Sequence, residues 1–387
     1  MLLTKEQILE QMCKHAQKKN GFHDLMEMMI ESMMLAERNE FLAENPGNKG
    51  NGYRPGRAYG QGKMLEFRIP RDRYGNFYPQ ILAILRDQEE ECDRLAGALY
   101  TKGLTQEQVG DVFEQVYGQH YSKASISRMV ECVRTQVGEW FERGLDEYYP
   151  IVFVDCVHIK THRSHKVATE AFYVALAVTE DGVREVLGIF NIPQESATGW
   201  GDIFDRLKDR GVQRVGLMVA DGIKGLETVL GKKFPGTELQ RCVTHLKRNM
   251  LSKVRHTDKA ALAADLRNVF RVGQRDYTME MAWEKWQELC RRWGKDYKSI
   301  KDLCDNADYK AYMTYLNYNS KIQSMIYTTN WIERLNRDFR RVTKMRTAMP
   351  NEESVLVLMG SVAMDHKAFD RKLPNITADK TLFPATE

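Results

Sequence analysis

The sequence predicts a multidomain protein of the α + α/β kind: helices first, then a mixed sheet, then helices again. Three observations point there. At 387 residues the chain exceeds one ordinary domain, because single hydrophobic cores stop growing at about 250–300 residues. Apolar residues make up 43%, enough for real cores rather than wholesale disorder. The apolar periodicity then changes at Pro150, from helical spacing to the runs expected of strands.

Residues 1–44 read as a helical region. Thr4-x-x-Gln7 has the form of a capping box, and Leu25, Met29, Met33 and Leu35-Ala36 recur at helical spacing. The methionine stripe suits core or dimer packing better than a ligand role. Residues 45–66 differ in texture. From Asn45 to Leu65 the chain carries six glycines and the basic residues Lys49, Arg54, Arg57 and Lys63, with no acid. Such a stretch is expected not to bury a core. It reads as a linker: a plain spacer, or an arm that orders on phosphates through Arg54 and Arg57.

Residues 67–148 form a third region, helical from about residue 77. Thr105-Gln-Glu-Gln108 caps a helix carrying Val109, Val112, Phe113 and Val116. Beyond a glycine-containing turn, Ser122 caps a second helix with Ile126, Met129, Val130 and Val133 facing inward. This spacing fits a helix-turn-helix and equally an ordinary helical hairpin. In the first case Lys123, Ser125, Ser127 and Arg128 occupy the exposed half of the helix that would meet base edges and phosphates.

Strands are expected at Ile151–Ile159, Ala171–Thr179 and Val183–Ile192, the last two joined by Asp181-Gly182. A helix at Gly201–Arg210 leads to a strand at Val215–Ala220, then to a helix near Gly225–Leu230 and a strand near Leu239–Val243. Three meandering strands followed by helix–strand alternation make a mixed sheet. Residues 246–320 return to helical spacing with Trp283, Trp286 and Trp293 in one stripe, a last helix starts at Asn330, and residues 366–387 read as a loose tail.

Composition narrows the function. The N-terminus shows no secretory signal, and no run approaches the roughly 18 apolar residues of a membrane helix. Seven scattered cysteines without a C-x-x-C pair suit a reducing cytosol and argue against a disulfide framework. Neither a Walker loop nor a dinucleotide fingerprint is present, so no nucleotide cofactor is expected. Net charge is only +4, but the basic residues cluster, as a nucleic-acid partner requires. Arg241, Lys247, Arg248, Lys253 and Arg255 lie in a stretch without acids, Leu239–Thr257.

Three carboxylates stand out. Asp155 follows the apolar run Ile151–Val154, where an acid must be paired, hydrogen-bonded or metal-bound. Asp221 ends a strand of an α/β sheet, the usual place for a site. Each has a plain alternative, a salt-bridged core acid or a helix cap. Glu333 has two, a capping box with Asn330 and a surface pair with Arg337. On a helical wheel, however, Arg337, Arg340 and Lys344 lie within roughly 40° of Glu333, while Trp331, Leu335, Phe339 and Val342 gather opposite. A lone acid on a basic face would repel phosphates unless it held a cation. Three hard oxygen ligands suit magnesium or manganese, and two such ions could drive in-line phosphoryl transfer. Cys242-x-x-His245 is half a zinc ligand set, and no partner at matching spacing completes it.

In combination these stretches resemble the Mutator-related family of bacterial insertion-sequence transposases. The resemblance runs in order over most of residues 50–360. It includes Gly52-Tyr-Arg54, Pro70-Arg-Asp-Arg73, Tyr100-x-Lys-Gly-Leu104, Ser125-Ile-Ser-Arg128, Asp155 with Lys160, Asp221-Gly222, Gln240-x-Cys242-x-x-His245 with Arg248-Asn249, and Thr328-Thr-Asn330-x-x-Glu-Arg-Leu-Asn336. It implies a ribonuclease H-like catalytic fold over 149–245 and 323–365, interrupted by a helical insertion at 246–322, with Asp155, Asp221 and Glu333 as catalytic and metal-binding triad. It places Cys242 and His245 in a family signature rather than a zinc site. The implied activity is magnesium- or manganese-dependent cleavage and transfer of DNA strands at the terminal inverted repeats of a mobile element. At least a dimer is implied, because two ends must meet, in the bacterial cytoplasm at the nucleoid. The alternative is a catalytically inactive, transposase-derived DNA-binding protein. A nuclease on the same fold is weaker, because of the helix-turn-helix pattern. The one departure is residues 158–170, read as a loop and unusually rich in histidine and basic residues.

Overall fold

The computed structural model describes residues 10, 12–14, 16–17, 20–60, 63–117, 121–163, 166–192, 197–222, 225–305 and 309–365. The N-terminal capping box, the glycine turn at 118–120 and the tail from 366 lie outside these. The chain divides into two compact units, split after Cys132 rather than near residue 148.

In the first unit, helix α1 (Gly21–Glu44) is followed by strands β1 (Gly50–Gly60) and β2 (Lys63–Asp72), which pair antiparallel. The stretch expected to be a linker is therefore a hairpin with a core. Ala58, Leu65, Phe67 and Ile69 are buried with Ile30 and Met34 of α1 and Leu82 and Leu85 of α2 (Gln80–Thr101). Glycine serves packing here: a Cβ on Gly56 would stand 2.3 Å from Ile69 Cδ1. Helix carboxylates also satisfy groups that a lone hairpin would leave to water. The N–H groups of Glu66 and Arg68 donate to Glu27 and Glu31 of α1, both at 2.7 Å. Glu37 accepts from the Gln80 N–H at 2.7 Å, in the first turn of α2 where unpartnered donors favour an anion.

Asp72 closes the hairpin. It is buried and accepts from Asn48 Nδ2 at 2.8 Å and from the N–H groups of Tyr74, Asn76 and Phe77. Burial pushes its carboxyl up, but these donors outweigh it and hold the group at about 2. Asp72→Ala would strand several donors, so thermal unfolding should show a loss of about 3 kcal/mol or more. A melting temperature within one degree of the parent would refute this role.

Helices α3 (Gln106–Tyr117) and α4 (Lys123–Met129) follow. Thr105 and Gln108 form a reciprocal capping box, with N–H to side-chain bonds of 2.9 and 3.1 Å, and Ser122 accepts from the Ser125 N–H at 3.1 Å. Val109, Phe113, Ile126, Met129 and Val130 are buried, and Phe113 meets Tyr121 edge-on. Val116, expected inward, is 62% exposed.

The second unit is a mixed five-stranded sheet in the order β5-β4-β3-β6-β7. Helix α5 (Glu131–Glu142) leads into β3 (Tyr148–Arg163), β4 (Lys166–Val178) and β5 (Arg184–Ile192), an antiparallel meander. Helix α6 (Ala197–Asp209), β6 (Arg214–Ala220), α7 (Leu226–Lys233) and β7 (Glu238–Arg241) complete it, with β6 parallel to β3 and β7 parallel to β6. Residues 158–163 and 166–170, expected to form a loop, extend the β3–β4 ladder. Arg163 pairs there with buried Glu170 at 2.6 Å, and Thr161 bridges to Met349.

Alternation of side chains along β3 covers both faces. Val152 and Val154 join Trp200, Phe204, Leu226 and Leu230 of α6 and α7. Phe153 points the other way and meets Trp331 at 5.5 Å between ring centroids.

Between β7 and that second face run α8 (Val243–Ser252), α9 (Lys259–Val269), α10 (Met279–Trp293), α11 (Lys298–Asp305) and α12 (Ser320–Ile326). Trp286 and Trp293 are buried as their spacing predicts, whereas Trp283 is only partly covered. Cys290 of α10 and Cys304 of α11 form a disulfide, contrary to the compositional expectation. The two helices follow one another closely, which brings cysteines 14 residues apart to a Cα separation of 6.2 Å. Helices α13 (Asn330–Thr343) and α14 (Glu352–Met364) then return to the sheet. Gly360 of α14 leaves room for Val137 of α5, which ties α5 to this unit. No helix among the described residues is long and apolar enough to cross a membrane.

Candidate active site

The strand register sets the first two carboxylates side by side. Val154 of β3 pairs with Ala220 of β6 in parallel, so Asp155 and Asp221 stand one residue beyond a matched pair on adjoining strands. Asp155 shares the parity of Phe153 and faces α13. There Asn336 Nδ2 donates to its Oδ2 at 2.7 Å, and the Cys156 N–H donates to its Oδ1 at 2.8 Å. Both carboxylate oxygens are thus held. Asp221 accepts from the Gly222 N–H at 2.6 Å.

Helix α13 reaches this point through a junction of two distant segments. The Cys242 N–H donates to Ala220 O at 2.8 Å, and the Val243 N–H donates to Tyr327 O at 3.0 Å. The Cys242 sulfur accepts from Thr329 N–H at 3.4 Å and Thr329 Oγ1 at 3.2 Å. Thr329 is the residue before α13, so the start of that helix is fastened to the end of β7. Glu333 follows one turn later and lies near Thr329 Oγ1, at 3.3 Å. It does not form the capping box that was its plain alternative, since the N-cap is Thr329 and no side chain caps the helix. Its cationic neighbours are His245 at 3.7 Å and Arg248 at 3.8 Å, not Arg337.

His245 sits between two of the acids, with Nδ1 3.4 Å from Asp221 and Nε2 3.7 Å from Glu333. Its hydrogen-bonded neighbour Cys242, then the charges of Asp221 and Glu333, hold the imidazole up at about 9 despite burial. Burial pushes the Asp155 carboxyl up to about 6, and the charges of Asp221 and Glu333 add to the rise. A buried carboxylate with two further acids acting on it belongs to a donor set short of positive charge. The set is oxygen-only and comes from three separate segments, which fits a hard divalent cation.

The other residues singled out from sequence distribute as follows. Arg337, Arg340 and Lys344 are exposed along α13 and its end, while Leu335, Phe339 and Val342 are buried opposite and Trp331 is partly so. Arg248 is exposed beside Glu333. Lys123 and Arg128 are exposed on α4, but Ser125 and Ser127 are partly covered and Ser125 shares a hydrogen bond with Ser122. Arg54 is exposed on β1, and Arg57 pairs across the hairpin with Glu66 at 2.9 Å. These unit-one residues belong to a different compact unit from the carboxylates. Sequence reasoning missed Asn336 as a site residue. The available signal was a polar side chain three residues from Glu333, turned toward the buried side of an amphipathic helix.

A family model described as "Transposase, Mutator family" matches residues 2–372. The chain is 30% identical to the transposase of insertion sequence element IS905 from Lactococcus lactis, over 87% of this chain and 84% of that protein. It is 31% identical to the ISRM3 transposase of Rhizobium meliloti, with the same coverage of 87% and 84%. It is 26% identical to the transposase of IS256 in transposon Tn4001 from Staphylococcus aureus, over 93% and 94%. Among solved structures, the Drosophila P element transposase strand transfer complex aligns with 76% of this chain and 82% of that chain at 10% identity, with a TM-score of 0.31.

Proposed function

The chain belongs to the Mutator family of transposases, and on that premise we propose that it binds the terminal inverted repeats of an insertion sequence and cleaves and transfers their strands. The convergence of Asp155, Asp221 and Glu333 carries this reading. They come from β3, the end of β6 and α13, and the charges of Asp221, His245 and Glu333 all act on Asp155, an arrangement that a shared divalent cation would balance. The strand order supports a ribonuclease H-like catalytic fold, with residues 246–322 as its helical insertion.

In this reading the three carboxylates hold two ions of magnesium or manganese. When bound, such ions supply Lewis-acid activation of a water or a 3′-hydroxyl and stabilise the leaving oxygen. The chain's own contribution is orientation. Asn336 and the Cys156 N–H fix both oxygens of Asp155, so that its carboxylate does not rotate away from Asp221. Arg248, Arg337, Arg340 and Lys344 provide a cationic track for phosphates around Glu333. The binding protein without activity is disfavoured, because a pure DNA binder gains nothing from three acids set among these cations. The direct test incubates the purified chain with labelled element ends and magnesium or manganese. Strand-specific nicks at the repeat boundary are expected. Tight binding without cleavage in either metal would favour the inactive binder.

Helix α4 serves as the recognition helix of a helix-turn-helix. Replacing Lys123 and Arg128 together with alanine should weaken end binding by about 1–3 kcal/mol if a base edge is read, or flatten the salt dependence if the contacts are phosphates. Binding and salt slope both at parental values would remove α4 from the interface. Two element ends require at least a dimer, which sedimentation of the DNA complex can establish.

A further inference from the structure

The sequence offers Cys242 and His245 as half a soft-metal ligand set and no partner for them nearby. The fold supplies one. Donor atoms of Cys242, His245 and Glu333 all lie within 4.8 Å of one another, although Glu333 comes from a different segment. We propose that these three residues form a capture site for zinc, and that zinc bound there takes Glu333 from the carboxylate set and so inhibits the protein.

Donor chemistry separates this site from the oxygen-only one. Thiolate, imidazole and one carboxylate are a zinc set, with three protein ligands leaving a fourth position for water. Magnesium and manganese prefer oxygen donors and gain little from sulfur. The geometry is near what one ion needs. Two light-atom ligands on a tetrahedral zinc stand roughly 3.3 Å apart, and His245 Nε2 lies 3.7 Å from Glu333 Oε1.

The surroundings of these ligands match those of built metal sites. The Cys242 sulfur is buried and accepts two hydrogen bonds, from the N–H and hydroxyl of Thr329, an arrangement that orients a sulfur ligand and favours its charged form. The His245 ring has its other nitrogen, Nδ1, buried without a hydrogen-bond partner, 3.4 Å from Asp221 Oδ1. With Nε2 on a metal, Nδ1–H would turn to that carboxylate, the usual support of a metal-bound histidine. Glu333 is common to both sets, and zinc held on Oε1, the oxygen that faces His245, competes with the hard cation for that carboxylate. The binding half of the inference stands on geometry alone; the inhibition half rests on the transposase reading.

Cobalt is the probe, because a cobalt–thiolate bond gives a charge-transfer band that oxygen and nitrogen ligands do not. The full-length, metal-free chain titrated with cobalt should show this band at one ion per chain, with displacement by zinc. Cys242→Ser should abolish the band. His245→Gln, which keeps the thiol, should weaken cobalt binding at least tenfold, and serves as the second arm if Cys242→Ser does not fold. Asp155→Asn should leave the band in place. A parent chain without a thiolate band, or a band that survives Cys242→Ser, overturns the site. In the cleavage assay at fixed magnesium, zinc should inhibit the parent at concentrations at least tenfold below those needed for Cys242→Ser. Equal zinc sensitivity overturns the inhibitory role. A thiolate band in a chain that cleaves no DNA in any metal would instead count against the transposase reading and leave the capture site standing.

Discussion

Glu333→Gln is expected to bind element ends as tightly as the parent chain, or tighter, and to cleave them slower by roughly 10³-fold or more. The amide keeps the shape of the side chain, and with it the contact to Thr329 at 3.3 Å. It removes the charge that a cation needs. It also removes an acid from a face where Arg248 lies 3.8 Å away and Arg337 and Arg340 are exposed, so phosphate binding should not suffer. Asp155→Asn and Asp221→Asn should behave alike, and a double variant should be scarcely worse than a single one, since groups that act as a unit are not additive. If Glu333 only stabilised its helix, the variant would lose about 1 kcal/mol at most and cleave normally. Melting temperature, end affinity and cleavage rate measured on one preparation separate the two cases, and near-parental cleavage would take Glu333 out of the site.

Replacing Asn336 with aspartate should raise the magnesium concentration for half-maximal cleavage by about 10–100-fold, the usual consequence of losing a group that supports a metal ligand. The 2.7 Å bond from Asn336 Nδ2 to Asp155 Oδ2 has only one sense, because an ionised carboxylate can only accept. Asn336→Asp puts a fourth acid against Asp155, which burial first, and then the charges of Asp221 and Glu333, already push up to about 6. Repulsion would then turn Asp155 away from Asp221. Asn336→Ala removes the donor without adding charge and should give a smaller rise in the metal requirement. Asn336 is 1% exposed, so both variants should also lose some stability. A merely structural role predicts lower melting temperatures with an unchanged metal requirement, and that pattern would refute the positioning role.

Much of the local structure was legible from residue order. The capping box of Thr105 and Gln108 and the Ser122 cap depend on residues three apart, and they form as their spacing indicates. The switch from helix to strand near Pro150 is a change of period, visible without any partner. The two faces of α13 follow from a 3.6-residue repeat, which sets Leu335 and Phe339 inward and Arg337 and Arg340 outward. Glycine content misled at residues 50–72. A glycine-rich segment buries little by itself, but Gly56 makes room for Ile69, and the carboxylates of Glu27 and Glu31 take up the strand's N–H groups. Those acids belong to a helix some forty residues earlier, and no composition window includes both. Cysteine arithmetic failed for the same reason, since Cys290 and Cys304 meet only because α10 and α11 follow one another closely.

By itself the sequence determined which residues carry charge at which period: three acids in settings costly for an acid, a basic face around one of them, and a Cys-x-x-His pair with no partner. The tertiary structure alone decided who meets whom. It put Asn336 on Asp155 across 181 residues, His245 between Asp221 and Glu333, and the Cys242 sulfur against Thr329 across 87. The physical reason is that periodicity reports which side of an element is wet or buried, whereas a hydrogen bond between elements depends on strand register and helix docking. Those are settled by packing the whole sheet against α13, and they leave no repeat in the residues themselves.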